Sequence, residues 1–379
     1  MKVLAVAAVL ALTVTAMPAW ADDDYPPVSI YGMVRLDAIV NDSTMSDARA
    51  PYWVEREPGR SDAELTVSPR LSRIGLSLDE WELNHRWSGA GLLEVDFAGG
   101  DASADAGLRL RHAYVTLARE QRFEVLLGQT WDLASPLFPS VNADTMMWNA
   151  GNTGDRRPQL RLSAFPGGGK ATVAVAVGQT GAVDRQDADM DGRLDGTEGG
   201  LPTVQGLIEL RPRLPGGGQL RLGVWGHAAR EQLAAGPDLP SRAIGGHLYV
   251  PMARVAVLMV EAYRGRNLDD LRGGIGQGYN IVRGRSIDAT GGWVEAAIFL
   301  SRHHLFAFGE TIDAVDEDDV EPGDRLRNLS GYAVLRWRPT EAVEVGAEYG
   351  YWITSYKQMD RPPALGTAHR VDLHASVSF

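Results

Sequence analysis

The last ten residues of the chain, 370–379, read RVDLHASVSF. Val371, Leu373, Ala375, Val377 and Phe379 alternate with Arg370, Asp372, His374, Ser376 and Ser378. Successive side chains of a strand point to opposite faces, so this period of two predicts a strand with one apolar and one polar surface. The same pattern recurs upstream. Val343, Val345, Ala347 and Tyr349 alternate with Glu344 and Glu348, and Leu220, Leu222 and Val224 with Arg221. Val204, Gly206, Ile208 and Leu210 alternate with Gln205, Glu209 and Arg211. Leu93, Val95 and Phe97 enclose Glu94 and Asp96; Ile74, Leu76 and Leu78 follow Arg73; Val34, Leu36 and Ala38 enclose Arg35 and Asp37. Two runs, 109–117 and 255–260, do not alternate, and their inward faces stay unassigned.

The connections carry as much information as the strands. Tight turns are predicted near Glu82, at 119–120, 166–169, 214–218, 251, 301–302 and 338–341. Between them lie long polar stretches at 41–69, 99–106, 132–156, 180–201, 231–241, 266–290, 315–324 and 356–367. Short and long connections alternate strictly, which gives seven turns, eight loops and about sixteen strands. That is the pattern of a transmembrane antiparallel β-barrel with short turns at one rim and long loops at the other. Sixteen strands enclose an aqueous channel. A soluble sandwich or propeller has no reason to alternate its connections in this way. The fold class expected is therefore all-β, one barrel domain over residues 22–379. Residues 1–21 read as a signal peptide: Lys2, an apolar run, then Ala19, Trp20 and Ala21 as an A-x-A cleavage site.

Composition agrees. The chain has no cysteine, which excludes disulfides and thiolate metal sites. Its mean hydropathy lies just below zero, as expected where apolar outer and polar inner residues alternate. A net charge of −12 argues against nucleic acid as a partner. Much of that charge sits in the loop stretches 187–198 and 313–324.

One long connection differs from the others. Residues 128–162 read GQTWDLASPLFPSVNADTMMWNAGNTGDRRPQLRL. Loops of this length are usually functional or disordered. Trp131, Leu137, Phe138, Met146, Met147 and Trp148 are too apolar for a disordered segment, and they predict a loop packed against the inside of the barrel. The runs GQTWD-x-x-SPL-x-P and WNAGN-x-GDRRPQLRL, with RLRHAYVTL at 109–117, resemble the DcaP-like family of Gram-negative outer-membrane porins. The motifs cover the first half of the mature chain, and the second half is similar only in architecture. The resemblance implies a third extracellular loop folded into the pore and residence in outer-membrane lipid after export through the periplasm. It also implies a homotrimer and passive diffusion of small hydrophilic solutes, with a preference for small anions such as dicarboxylates. The chain departs from the family in lacking a helical coiled-coil segment before the barrel. Its terminal Phe379 resembles the assembly signal of outer-membrane barrels. Two alternatives remain: a substrate-specific anion channel resembling the phosphate-selective porins, which needs a denser basic ladder, and a non-conducting structural or adhesive barrel, which needs a plugged lumen.

Arginine on the lipid face of a barrel costs about 2–4 kcal/mol at mid-depth, so the strand arginines are expected to point inward. Arg35, Arg73, Arg109 or Arg111, Arg157 and Arg161 fall on the first, second, fourth and sixth strands, where they would form a basic wall; Arg156 precedes Arg157 in the GDRRPQLRL run. The loop brings Asp132 and Asp144. A basic wall opposite an acidic loop would set up a transverse field across the constriction, and rings of arginine favour anions. Glu209, Glu344, Glu348 and Asp372 keep the remaining wall mixed, so selectivity should be modest.

The sequence predicts no enzyme. None of the eight histidines has H-E-x-x-H spacing or a G-x-S-x-G run nearby, and the strand reading places no serine beside a histidine on one face. No cofactor is required, but one loop predicts bound calcium. Residues 187–198, DADMDGRLDGTE, fit D-x-[DN]-x-[DN]-G-x₅-E. Asp187, Asp189 and Asp191 would supply carboxylates, Arg193 its carbonyl, and Asp195 and Glu198 the remaining positions.

Overall fold

The computed structural model describes residues 26–56, 63–100, 107–120, 122–141, 146–233, 236 and 238–379. The expected signal peptide and Asp144 lie outside the described residues. The strands are β1 (Val28–Asn41), β2 in two segments (Glu64–Ser68 and Arg73–Asn84), β3 (Trp87–Gly99), β4 (Gly107–Arg119), β5 (Phe123–Trp131) and β6 (Arg156–Ala164). They continue as β7 (Ala171–Gly178), β8 (Thr203–Leu210), β9 (Arg221–Gln232), β10 (Asp238–Met252) and β11 (Ala256–Arg266). The remainder are β12 (Asp288–Ser301), β13 (His304–Val315), β14 (Arg325–Trp337), β15 (Val343–Tyr356) and β16 (Ala364–Ser378). Each pairs antiparallel with the next, and β1 pairs with β16 from Met33↔Ser378 to Asn41↔Arg370, so the sheet closes on itself. Gly32 and Phe379 exchange both backbone hydrogen bonds at 3.0 Å, which carries the closure to the last residue.

The period of two assigns the faces. Val371, Leu373 and Val377 are exposed on the outside, while Arg370, Asp372 and His374 are buried inside. On β1, Val34, Leu36 and Val40 face out, and Arg35, Asp37 and Asn41 face in. The outer surface is apolar at nearly every strand; Glu310 on β13 and Arg242, Arg264 and Arg266 on β10 and β11 are polar exceptions. The described parts of the long loops L1 (42–63), L3 (132–155), L4 (179–202) and L6 (267–287) gather at one rim.

Three local details depart from the simplest alternation, each for a physical reason. Run 109–117 fails to alternate because β4 carries a bulge: Glu94 pairs with His112 and Val95 with Leu110, so Arg111 and His112 are both buried in the lumen. Run 255–260 looks uniform because Val257 and Met259 continue the inward row of Glu261 and Tyr263, while Leu258 and Val260 face outward. The first long loop is shorter than expected, since Glu64–Ser68 already pairs with β1 before Pro69 interrupts the strand.

Leu373 lies well inside β16 on the outer face, 53% exposed. Leu373→Arg should lower folding stability in bilayers by about 2–4 kcal/mol. An unchanged urea midpoint in lipid would place that face outside the hydrocarbon.

Candidate functional site

L3 lies against the inner wall, and carboxylates of the wall hold its backbone. Glu261 on β11 accepts from Ser135 Oγ at 2.6 Å and Leu137 N at 3.0 Å. Glu295 on β12 accepts from both the amide and the hydroxyl of Ser140 at 2.6 Å, and from Tyr332 Oη at 2.9 Å. Gln205 on β8 accepts from Leu133 N at 2.8 Å, and Arg336 on β14 donates to the Ser140 carbonyl. A carboxylate offers several acceptor sites, so one inward glutamate can satisfy two otherwise orphaned loop donors. Small inward residues make the room: L3 residues Leu133 and Ala134 pack with Leu268 and Leu271 of L6 over Ala174, Ala176 and Ala289. Met147 and Ala150 of L3 pack with Met45 and Val54 of L1 over Ala297, Ala307 and Ala368. Gly151, at φ +125°, meets the Gly292 carbonyl so closely that a Cβ would lie 2.3 Å from its oxygen.

Arg157 on β6 ties the loops together. Its Nε donates to Asp132 Oδ1 at 2.6 Å and its Nη2 to Asp132 Oδ2 at 3.1 Å. Its Nη1 and Nη2 reach Asp270 Oδ2 and the Asp270 carbonyl of L6 at 2.9 and 2.7 Å, and Nη1 also donates to the Gln179 carbonyl of L4 at 3.0 Å. Asp270 in turn accepts from Gly181 N and Val183 N of L4. Arg157 is 1% exposed. Arg156 is also buried, 3.4 Å from Asp155 and 4.5 Å above the Trp131 ring centroid. The expected pore face of Arg156 and Arg157 is therefore covered, because L3 and L6 close over both. Asp132 is consumed by the Arg157 pair, so it cannot supply the acidic side of a transverse field.

The uncovered wall runs from β1 to β6 and holds the other predicted arginines. Arg35 pairs with Asp37. Arg73 lies 3.6 Å from Glu94, Arg111 lies 2.7 Å from Glu94 and 3.0 Å from Asp96, and Arg109 lies 2.5 Å from Asp96. Tyr31 Oη donates to Glu94 at 2.9 Å. The side chain of Arg161 donates to Gln159 Oε1 and to the Trp131 carbonyl, both neutral. Five guanidinium groups, Arg35, Arg73, Arg109, Arg111 and Arg161, thus share this wall with the carboxylates of Asp37, Asp79, Glu94, Asp96 and Glu124. Arg73 and Arg109 keep 29% and 25% of their side chains exposed.

The calcium-type loop is folded. Asp187 accepts from Asp191 N and Gly192 N at 3.1 and 3.0 Å, Asp191 accepts from Arg193 N at 2.8 Å, and Asp195 accepts from Ala188 N at 3.0 Å. Glu198 pairs with the Arg193 side chain at 2.6 Å. The serine–histidine expectation needs correction. His227 Nε2 lies 3.0 Å from Ser241 Oγ on the inner face, because the two strands place them diagonally. Ser241 is 0% exposed and donates to the Asn267 carbonyl at 2.6 Å, so its proton is committed and substrate cannot reach it. Sequence reading also missed Glu261 and Glu295. The available signal was a lone carboxylate on the inward row of an otherwise apolar strand.

Arg157→Gln leaves Asp132 and Asp270 buried without their cation, a change that costs about 3–5 kcal/mol. The expected result is a marked fall in the temperature at which the folded barrel loses its heat-modifiable gel mobility. A stability matching the parent would show that L3 and L6 are held some other way.

No protein-family model and no curated protein matches the chain. Similarity is found among solved structures. The outer membrane channel DcaP of Acinetobacter baumannii superposes with a TM-score of 0.75 at 17% identity, over 94% of this chain and 98% of that one. An anion-selective porin from Comamonas acidovorans gives 0.62 at 12% identity, over 93% and 99%. Salmonella typhi OmpF, in complex with daunomycin, gives 0.61 at 12% identity, over 94% and 99%. The chain carries the sixteen-stranded fold of the outer-membrane porins.

Proposed function

We propose that the chain is an outer-membrane channel for passive diffusion of small hydrophilic solutes, weakly preferring anions such as small carboxylates. The observation that carries this reading is the division of the lumen. L1, L3 and L6 pack over the inner wall of β7 to β16, whereas on β1 to β6 the guanidinium groups of Arg73 and Arg109 stay partly exposed while their partners Glu94 and Asp96 are buried behind them. On the loop side Asp132 is buried in the Arg157 pair and Glu261 and Glu295 are buried beneath L3. Because Glu94 and Asp96 interleave with the arginines, the preference is modest and falls short of a phosphate-selective ladder. A plugged, purely structural barrel is disfavoured by the partly exposed side chains of Arg73 and Arg109. Homotrimeric assembly fits the fold, since a trimer form of the Vibrio cholerae protein OmpT has a similar structure.

Single channels in a planar bilayer under a salt gradient test the reading. The parent should reverse at a potential on the anion-selective side, and Arg73→Gln with Arg161→Gln should move the reversal potential toward cations. No conductance at all, or a potential unmoved by the pair of substitutions, would contradict it.

A further inference from the structure

Three carboxylates from separate segments meet at the outer rim: Asp184 of L4, Glu231 near the end of β9, and Asp269 of L6. One oxygen of each lies within 4.8 Å of the others. Glu231 and Asp269 are 2% and 6% exposed, and none of the three forms an ion pair among the described residues. Asp184 Oδ1, Glu231 Oε1 and Asp269 Oδ2 have no hydrogen-bond partner among the described residues. Neither has Asn267 Oδ1, although Asn267 is 0% exposed and its amide donates to Glu231 Oε2 at 2.9 Å. Asn267 Oδ1 and Asp269 Oδ1 crowd the same side of Gly278, where a Cβ would lie 2.3 and 2.2 Å from them. Burying three mutually repelling carboxylates together with a bare amide oxygen is costly unless a cation compensates them.

We infer that Asp184, Glu231, Asp269 and the Asn267 side-chain carbonyl form a calcium site joining L4, β9 and L6. The donors are all oxygen, which selects a hard cation. Ligand oxygens about 2.3–2.6 Å from calcium can stand up to about 5 Å apart across the ion, which matches their spacing. Burial pushes the Asp184 carboxyl up to about 6 and the Asp269 carboxyl well above its ordinary range. A bound cation would hold both deprotonated and displace their protons. The site would fix the L6 segment next to Asp270, which anchors Arg157, and so would brace the loop cluster over the channel.

A second site is carried by a separate observation. Asp195, 2% exposed, aims an unpartnered Oδ1 into the 187–198 loop, where one oxygen each from Asp187, Asp189 and Asp195 lies within 4.8 Å of the others. We infer calcium there too, in the order of ligands that the sequence predicts.

Calcium titration of the full, detergent-solubilised protein after chelator treatment tests both sites, with heat-modifiable gel mobility confirming that each variant is a folded barrel. The parent should bind two equivalents per chain. Glu231→Gln and, as a second variant at the same site, Asp269→Asn should each bind one, and so should Asp195→Asn. A parent that binds none overturns both sites. Two equivalents retained by folded Glu231→Gln and Asp269→Asn overturn the interloop site, and two retained by Asp195→Asn overturn the loop site. Calcium should also raise the unfolding temperature of the parent, and raise it less in each variant.

Discussion

Within a bilayer a strand cannot leave its backbone donors and acceptors unpaired, so a transmembrane sheet must close. Everything in this structure follows from that closure. β1 pairs with β16 along its length, and the exchange of backbone hydrogen bonds between Gly32 and Phe379 removes the last edge. Once closed, the period of two separates the side chains without further instruction. Apolar residues such as Leu36 and Leu373 face outward, and Asp37 and Asp372 face the lumen.

The lumen is then divided by what its wall can accept. On β7, β12, β13 and β16 the inward positions include Ala174, Ala176, Ala289, Ala297, Ala307 and Ala368, which are small enough for loops to pack upon. Glu261 and Glu295 stand among them and supply acceptors for the loop backbone. On β1 to β6 the inward positions are mostly long and charged: Arg157 and Asn41 hold carbonyls of L4, L6 and L1, whereas Arg73, Arg109 and Arg111 pair with carboxylates of the wall itself. L3 is therefore drawn to one half of the barrel, and the partly exposed Arg73 and Arg109 line the other half. Arg157 sits at the boundary, where its guanidinium joins L3, L4 and L6 through Asp132, Asp270 and Gln179.

The architecture was readable because closure repeats a local rule: clean alternation in 371–377, and short turns alternating with long loops around the chain. What failed to read was whatever depended on contact between distant segments. The bulge at Arg111 breaks alternation, and a single register shift cannot be seen from one strand. Arg157 and Arg161 look equivalent in GDRRPQLRL, four residues apart on one face, yet Asp270 lies 113 residues away and makes one of them a structural anchor. Asp132 has the same history, since its acidity is spent on Arg157. The 187–198 motif is visible in the sequence because its spacing is local, whereas Asp184, Glu231 and Asp269 share no motif and meet only through the fold.

The central claim is that solute passes along β1 to β6 while loops cover the opposite wall. The chain has no cysteine, so single thiols report access without background. Tyr114 on β4 is half-buried on the open side, and Ala307 on β13 is 0% exposed beneath L1 and L3. Tyr114→Cys and Ala307→Cys, each treated with a small anionic thiol reagent during single-channel recording, give the most direct measurement. The account predicts a stepwise loss of current for the first and no reaction for the second; rapid block at position 307 with none at 114 would contradict it.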